Sequence, residues 1–156
     1  MKWFGNAACF ILVQLLLVAL QSSLWLQVFG EFPSPQFWIP GLVFWYLYRN
    51  AIENVFFVYV NVILLASSTI LSMSLTLAIL ITIYTAVFYV KSRIYWSGPT
   101  FHMLCCGLSA LVFPILHFGL SWALEPNPIH DPEIFYWIVS TLMTMLVALP
   151  AYKIFC

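Results

Sequence analysis

The sequence predicts an all-α integral membrane protein with six transmembrane helices, short loops and both termini in the cytoplasm. The first observation is composition: 64% of residues are hydrophobic and 6% are charged, whereas soluble domains have roughly 25% charged residues. The second is a series of long apolar runs separated by short polar or proline-containing segments. The third is that the basic residues fall on one side of a six-span arrangement. We expect one transmembrane domain over residues 1–156.

The lengths of the apolar runs set the number of spans. The run from Val55 to Val90 contains no charged residue, glycine or proline. As one helix it would be about 54 Å long, against a bilayer core of about 30 Å. Its serine-rich centre, Ala66 to Ser74, therefore predicts a tight hairpin between spans at 55–67 and 74–90. The other spans are predicted at 7–29, 37–48, 101–124 and 134–151.

The second predicted span is short. Its apolar run, Phe37 to Tyr48, has 12 residues, which make only about 18 Å of helix. Pro40 and Gly41 predict a bent or irregular start. Either part of Phe32–Gln36 joins this span, or the span lies deep in the bundle without crossing fully.

Charge supports six spans and gives their orientation. With a single span over 55–90, the basic residues would divide between the two faces. With two spans they all lie on one side, which the positive-inside rule identifies as cytoplasmic. These residues are Lys2, Arg49, Lys91, Arg93 and Lys153. Trp25, Trp38 and Trp122 near span ends are typical of an interfacial aromatic belt.

The outer loops are predicted to be stiff and acidic. Glu31 and Asp131 lie in segments with several prolines, and a rigid loop orders a partner at low entropic cost. We therefore expect these loops and the outer faces of spans one and two to dock a partner. The alternative is that the prolines only end the neighbouring helices.

Few polar residues lie inside the spans. Gln14 and Asn61 are expected to hydrogen-bond a neighbouring helix, and Asn61 is also a candidate for lining a ligand site. His117, three residues after Pro114, is a functional candidate because intramembrane histidines often are. The favoured interpretation is that His117 bonds a neighbour or interfacial water. His102 is expected at a span edge without a special role.

No motif indicates catalysis. The sequence has no nucleophile–base pair, P-loop or HExxH motif, and its three histidines are spread over separate elements. We expect no enzyme, no metal, no cofactor and, with so few basic residues, no nucleic-acid partner. Adjacent Cys105 and Cys106 are interpreted as small packing residues, because redox pairs generally have a C-x-x-C spacing. Gly119 and Ala123 form a weak small-xxx-small pattern.

One segment resembles a known family. SPQFWIPGLVFWYLYRN, from Ser34 to Asn50, resembles the short second span of the rod shape-determining protein MreD family, which reads as proline, an aromatic-rich apolar run and arginine. The expected six spans and short loops also match. Residues 54–68 lack the glycine-rich stretch and acidic residue common in that family's third span.

The resemblance implies a non-enzymatic scaffold of the bacterial cell-elongation machinery, in the inner membrane and surrounded by its lipid. MreC would be its single-span partner, with MreB and the RodA–transpeptidase pair nearby. The implied fold is similar to the six-helix substrate-binding subunits of energy-coupling-factor transporters. A small-molecule-binding subunit of such a transporter is therefore the alternative function.

Overall fold

The computed structural model describes residues 2–30, 32–68, 72–93, 98–124 and 133–155, and none of these residues lies in a strand. The helices follow the apolar runs of the sequence. The first span begins as α1, continues through a π-helical turn at Leu20–Leu24 and ends as α2. In chain order the α-helices are α1 Lys2–Ala19, α2 Trp25–Phe29, α3 Trp38–Tyr48, α4 Ala51–Ser68, α5 Met73–Arg93, α6 Pro99–Leu124 and α7 Ile134–Phe155.

Five helical stretches are long and apolar enough to cross a membrane. They are Ala7–Phe29, Ala51–Ser68, Met73–Arg93, Pro99–Leu124 and Ile134–Phe155. The chain thus has the helices of a multi-pass membrane protein. The predicted division of the 55–90 run into two helices is also confirmed, because α4 ends at Ser68, α5 begins at Met73 and the two pack on each other; residues 69–71 of the predicted turn lie outside the described residues. The span predicted at 55–67 begins earlier in the structure, since α4 starts at Ala51 and the backbone amide of Asn54 already donates to the Asn50 carbonyl at 3.0 Å.

The second predicted span is the short element that the sequence indicated, with a helix at Trp38–Tyr48 inside the predicted range 37–48. α3 has 11 residues, or about 17 Å of helix, which is too short for a bilayer core. Nine of those residues are buried, so α3 lies deep in the bundle. The expected docking face on span two is therefore not available.

An extended segment before α3 makes up the missing length. It runs along α7: the Ser140 hydroxyl donates to the Ser34 carbonyl at 2.7 Å, and the backbone amide of Gln36 donates to Thr144 Oγ1 at 2.9 Å. The Tyr136 hydroxyl accepts a longer bond from the Ser34 amide, at 3.5 Å. Non-helical backbone is tolerated at membrane depth where protein groups satisfy it. Four residues of extended chain at 33–36 span at most about 13 Å, so together with the about 17 Å of α3 they reach about 30 Å, the thickness of a bilayer core.

α3 is the centre of the fold. It packs against α1, α4, α5, α6 and α7, and these five helices follow one another around it as neighbours. α1 and α7 are the two ends of this arc, and no substantial packing joins them within the described residues. The arc around α3 is thus open between the first and the last spanning helix.

Aromatic contacts hold α1 to the centre. Phe10 of α1 meets the Trp45 ring of α3 with centroids 4.6 Å apart and the Phe57 ring of α4 at 4.8 Å. The face of α1 away from these contacts stays exposed, including Leu12 and Leu16. Such a face suits lipid or another transmembrane helix.

Candidate functional site

A cavity of about 350 Å³ lies at the end of the bundle opposite both termini. It exists because α3 begins only at Trp38, so the space beyond that residue is filled by extended chain, which is thinner than a helix. The walls come from four long helices and from the segment between α2 and α3. The lining residues are Val18, Gln21, Ser22, Trp25, Gly30, Phe32, Ser34, Gln36, Trp38, Leu65, Ser68, Phe113 and Tyr136.

The π-helical turn Leu20–Leu24 forms part of this wall. A π turn takes one more residue than an α turn, and such turns are frequent at functional sites. Two hydroxyls of the turn reach the carbonyl oxygen of Ala19, the residue just before it: Ser23 Oγ donates to this oxygen at 2.6 Å, and Ser22 Oγ at 3.4 Å. The turn brings Gln21 to the cavity.

Two glutamine oxygens in the lining lack hydrogen-bond donors. Gln21 Oε1 and Gln36 Oε1 are both buried, and neither accepts a hydrogen bond within the described residues. An unpaired buried acceptor costs about 1–3 kcal/mol. Gln21 belongs to the first span and Gln36 to the extended segment, so two separate elements that line the cavity each bury an unpaired acceptor.

Aromatic rings form much of the remaining wall. Trp38 is almost fully buried and packs edge-on against Phe113, with ring centroids 5.2 Å apart. Trp25 Nε1 donates to the Phe32 carbonyl at 3.0 Å and so fixes the rim. The belt prediction is wrong for Trp38, which lies in the core, whereas Trp122 is 68% exposed.

Gln14 lies outside the cavity but makes the predicted interhelical bond. It is fully buried, and its Nε2 donates to the Trp38 carbonyl at 3.1 Å. Gly41 makes room for it, because a Cβ atom there would lie 2.9 Å from Nε2. Gln14 therefore joins α1 to the start of α3, next to the cavity floor.

Asn61 does not make the predicted bond to another helix. Its Nδ2 donates to the Phe57 carbonyl at 2.9 Å, one turn back on α4. The carbonyl four residues earlier on a helix is within easy reach of a short polar side chain. Asn61 is fully buried and is not part of the cavity lining, so the ligand-site interpretation is wrong for this cavity.

The other predicted site residues lie elsewhere. His117 is half-buried on α6 and does not line the cavity. Glu31 and Asp131 lie outside the described residues. No cluster of three or more His, Cys, Asp or Glu side chains that could hold a metal ion occurs within the described ranges.

The prediction that His102 lies at the edge of a span is wrong, because this residue lies in the core. It is fully buried, and its Nε2 donates to the Pro40 carbonyl of α3 at 3.0 Å. Cys106 Sγ lies 3.6 Å from the same nitrogen, and the Tyr152 ring lies 5.5 Å away between centroids. The signal was a helical stripe in the sequence, in which buried residues recur four apart: Phe101, His102, Cys105, Cys106, Ser109 and Ala110.

No family model, curated protein or solved structure matches this chain.

Proposed function

We propose that the chain is a non-enzymatic inner-membrane scaffold of the bacterial cell-elongation machinery, which docks the transmembrane helix of a single-span partner such as MreC. The observation that carries this proposal is the open arc: α1 and α7 flank α3 without packing substantially on each other within the described residues. A partner helix seated there would complete the ring. MreB and the RodA–transpeptidase pair are further proposed partners.

The segment with the family resemblance supports the same proposal. Ser34 to Asn50 supplies both the extended segment and α3, the element against which the long helices pack. The docking surface we propose is the exposed side of α1 and α7, with Leu16 and Leu146 each about two-thirds exposed, at 66% and 64%. Helices associate in lipid by close packing and hydrogen bonding, which a preformed groove promotes.

Photo-crosslinking tests this docking surface. A photoreactive residue replacing Leu16 on α1 or Leu146 on α7 is expected to capture the same single-span protein in native membranes. Ile81 is the matched control, because it is also exposed but lies on α5, in the middle of the arc and away from the gap between α1 and α7. Equal capture from Ile81, or no shared product from α1 and α7, contradicts the proposal.

Mild-detergent purification from native membranes identifies the partner. Mass spectrometry is expected to find MreC or cell-wall synthases with the tagged chain. An ATPase module in their place would contradict the scaffold.

A second candidate function is favoured by the cavity. A membrane-embedded binding subunit of an energy-coupling-factor-type transporter needs a ligand pocket, and pockets of about 300–1,000 Å³ are typical of small-molecule sites. The same purification tests it, since this function predicts an ATPase partner and a retained metabolite.

A further inference from the structure

We infer that the end of the bundle at which α3, α5 and α7 finish binds the headgroups of anionic phospholipids, with Arg49 and Arg93 as the two main contacts. Each of these arginines has an exposed side chain and lies over an aromatic ring one turn earlier in the chain. The inference concerns a lipid partner and is independent of the protein partner proposed above.

The three helix ends lie together at one membrane boundary. The Phe44 ring of α3 and the Phe155 ring of α7 have centroids 5.4 Å apart. His102, near the start of α6, meets the Tyr152 ring of α7 at 5.5 Å, and α5 ends at Arg93, shortly before α6 begins. Because α5 is long and apolar enough to cross a membrane, its last turn lies at the level of the lipid headgroups.

The charge at this end of the bundle is basic. Glu53 is the only acidic residue there within the described ranges, and residues 94–97, which lie outside those ranges, include no acidic residue. Clustered basic side chains beside a membrane attract anionic lipid headgroups. The exposed basic residues at this end are Arg49, Lys91, Arg93 and Lys153.

Arg93 is supported by an exposed tyrosine. Its Cζ atom lies 5.5 Å from the centroid of the Tyr89 ring on the same helix. Tyr89 is 60% exposed, so its ring lies on the outside of the bundle, as tyrosine commonly does at a membrane boundary. The ring attracts the cation, while the fork of N–H donors on the guanidinium stays available to a phosphate group.

Arg49 has a more rigid support. Its Cζ atom lies 4.8 Å from the Trp45 ring centroid, and that ring is packed between Phe10 and Phe57 in the core. The Arg49 backbone is fixed as well, since its amide donates to the Trp45 carbonyl at 3.0 Å and its carbonyl accepts from Asn54 Nδ2 at 3.4 Å. A group that is already held in place loses less conformational entropy when it binds a headgroup.

A phospholipid matches the surroundings of Arg93 better than a soluble anion does. The neighbouring rings of Phe88 and Tyr89 are both at least half exposed, at 51% and 60%, and they lie toward the acyl chains from the guanidinium. One phospholipid would contact both the cation and this apolar surface, whereas a free phosphate would contact only the cation.

Electron spin resonance measures this association. The full-length protein is placed in phosphatidylcholine bilayers with a trace of spin-labelled phosphatidylglycerol, and spin-labelled phosphatidylcholine is the comparison without net charge. The immobilised fraction of each probe gives their relative association constant with the protein. We expect phosphatidylglycerol to associate about fivefold more strongly at low salt, the ratio that one basic residue near the surface provides. Raising the salt from about 0.01 M to about 1 M shortens the Debye length from about 30 Å to about 3 Å, so most of this preference is expected to disappear.

Two sets of variants test the contacts. The combined variant Arg49→Gln, Arg93→Gln is expected to lower the relative association constant by about twofold or more. Tyr89→Leu leaves the net charge unchanged but is expected to lower it too, because Arg93 loses its ring. Phe88→Leu is the matched control, since it removes the adjacent exposed ring and leaves the ring under Arg93 in place.

Equal association of the two probes with the unmodified protein overturns the inference, as does a preference that the double arginine variant keeps in full. If Tyr89→Leu is as harmless as Phe88→Leu, the aromatic support of Arg93 has no role in binding. Displacement of phosphatidylglycerol by an equal concentration of free glycerol phosphate contradicts the assignment to lipid. These outcomes leave the partner experiments above unaffected.

Discussion

At Gly107, α6 and α7 approach so closely that a Cβ atom would lie 2.6 Å from both Cγ and Sδ of Met145. Real Cβ atoms essentially never come so near another heavy atom, so any larger residue at 107 must push Met145 aside. Glycine lets helices in lipid come together for van der Waals packing. Glycine at 107 thus leaves the space that the Met145 side chain occupies.

Gly107→Ala is expected to destabilise the protein by about 1–3 kcal/mol, the usual cost of overpacking a well-filled contact. The free energy of unfolding in mixed detergent micelles measures it. Gly119→Ala is the control on the same helix, because nothing lies within 4 Å of its added Cβ atom. An equal loss in both variants would mean that the contact with Met145 is not the cause.

Gly107 and Gly119 also show that a small-residue pattern in the sequence does not predict which glycine lies at a close contact between helices. Gly119 and Ala123 have the small-xxx-small spacing, yet within the described part of the chain no atom of another element lies within 4 Å of a Cβ placed on Gly119. Gly107 is not part of a small-xxx-small pattern, but it lies directly against the Met145 side chain. The pattern describes one helix only, whereas close approach depends on which face turns toward the neighbour. His102 was misjudged for the same reason, because its acceptor Pro40 lies 62 residues away.

Among the elements, the extended segment before α3 depends on hydroxyl groups of α7. Ser140 and Thr144 lie one turn apart and hold the backbone of Ser34 and Gln36. In a helix the backbone groups would bond each other, but here the α7 hydroxyls take that role. Lipid tails offer no hydrogen bonds that could replace them.

Thr144→Val is expected to lower the free energy of unfolding by about 1–2 kcal/mol, because the Gln36 amide loses its acceptor while the side-chain shape is retained. Thr141→Val is the matched control on α7. The Thr141 hydroxyl is buried without a hydrogen-bond partner in the described residues, so its removal is expected to be neutral or slightly stabilising. If Thr144→Val proves as harmless as Thr141→Val, the segment does not rely on this bond.

Long apolar runs, with a serine-rich break that divides one of them into α4 and α5, made five of the six predicted spans straightforward. The second span was harder because its own 12 apolar residues do not reach across a membrane. How the chain completes that distance depends on α7, about 100 residues later. The cavity was not predictable for the same reason, since its walls come from segments far apart in sequence.

In the whole molecule, we propose that the extended segment and α3 together make one membrane crossing. α5 ends with Lys91 and Arg93, and α7 carries Lys153 in its last turn. With Arg49 after α3, the basic residues then gather at the face that carries the termini. Both the proposed partner docking and the position of the cavity follow from this topology.

The most direct measurement is cysteine labelling at the two ends of α4. Asn50→Cys and Ser68→Cys are made in a background with the four native cysteines replaced and treated with a membrane-impermeant maleimide. We predict that Ser68→Cys reacts in intact cells and that Asn50→Cys reacts only after the membrane is opened. Reaction of Asn50→Cys in intact cells would contradict the account, because the chain would then have turned back at α3 or have the opposite orientation.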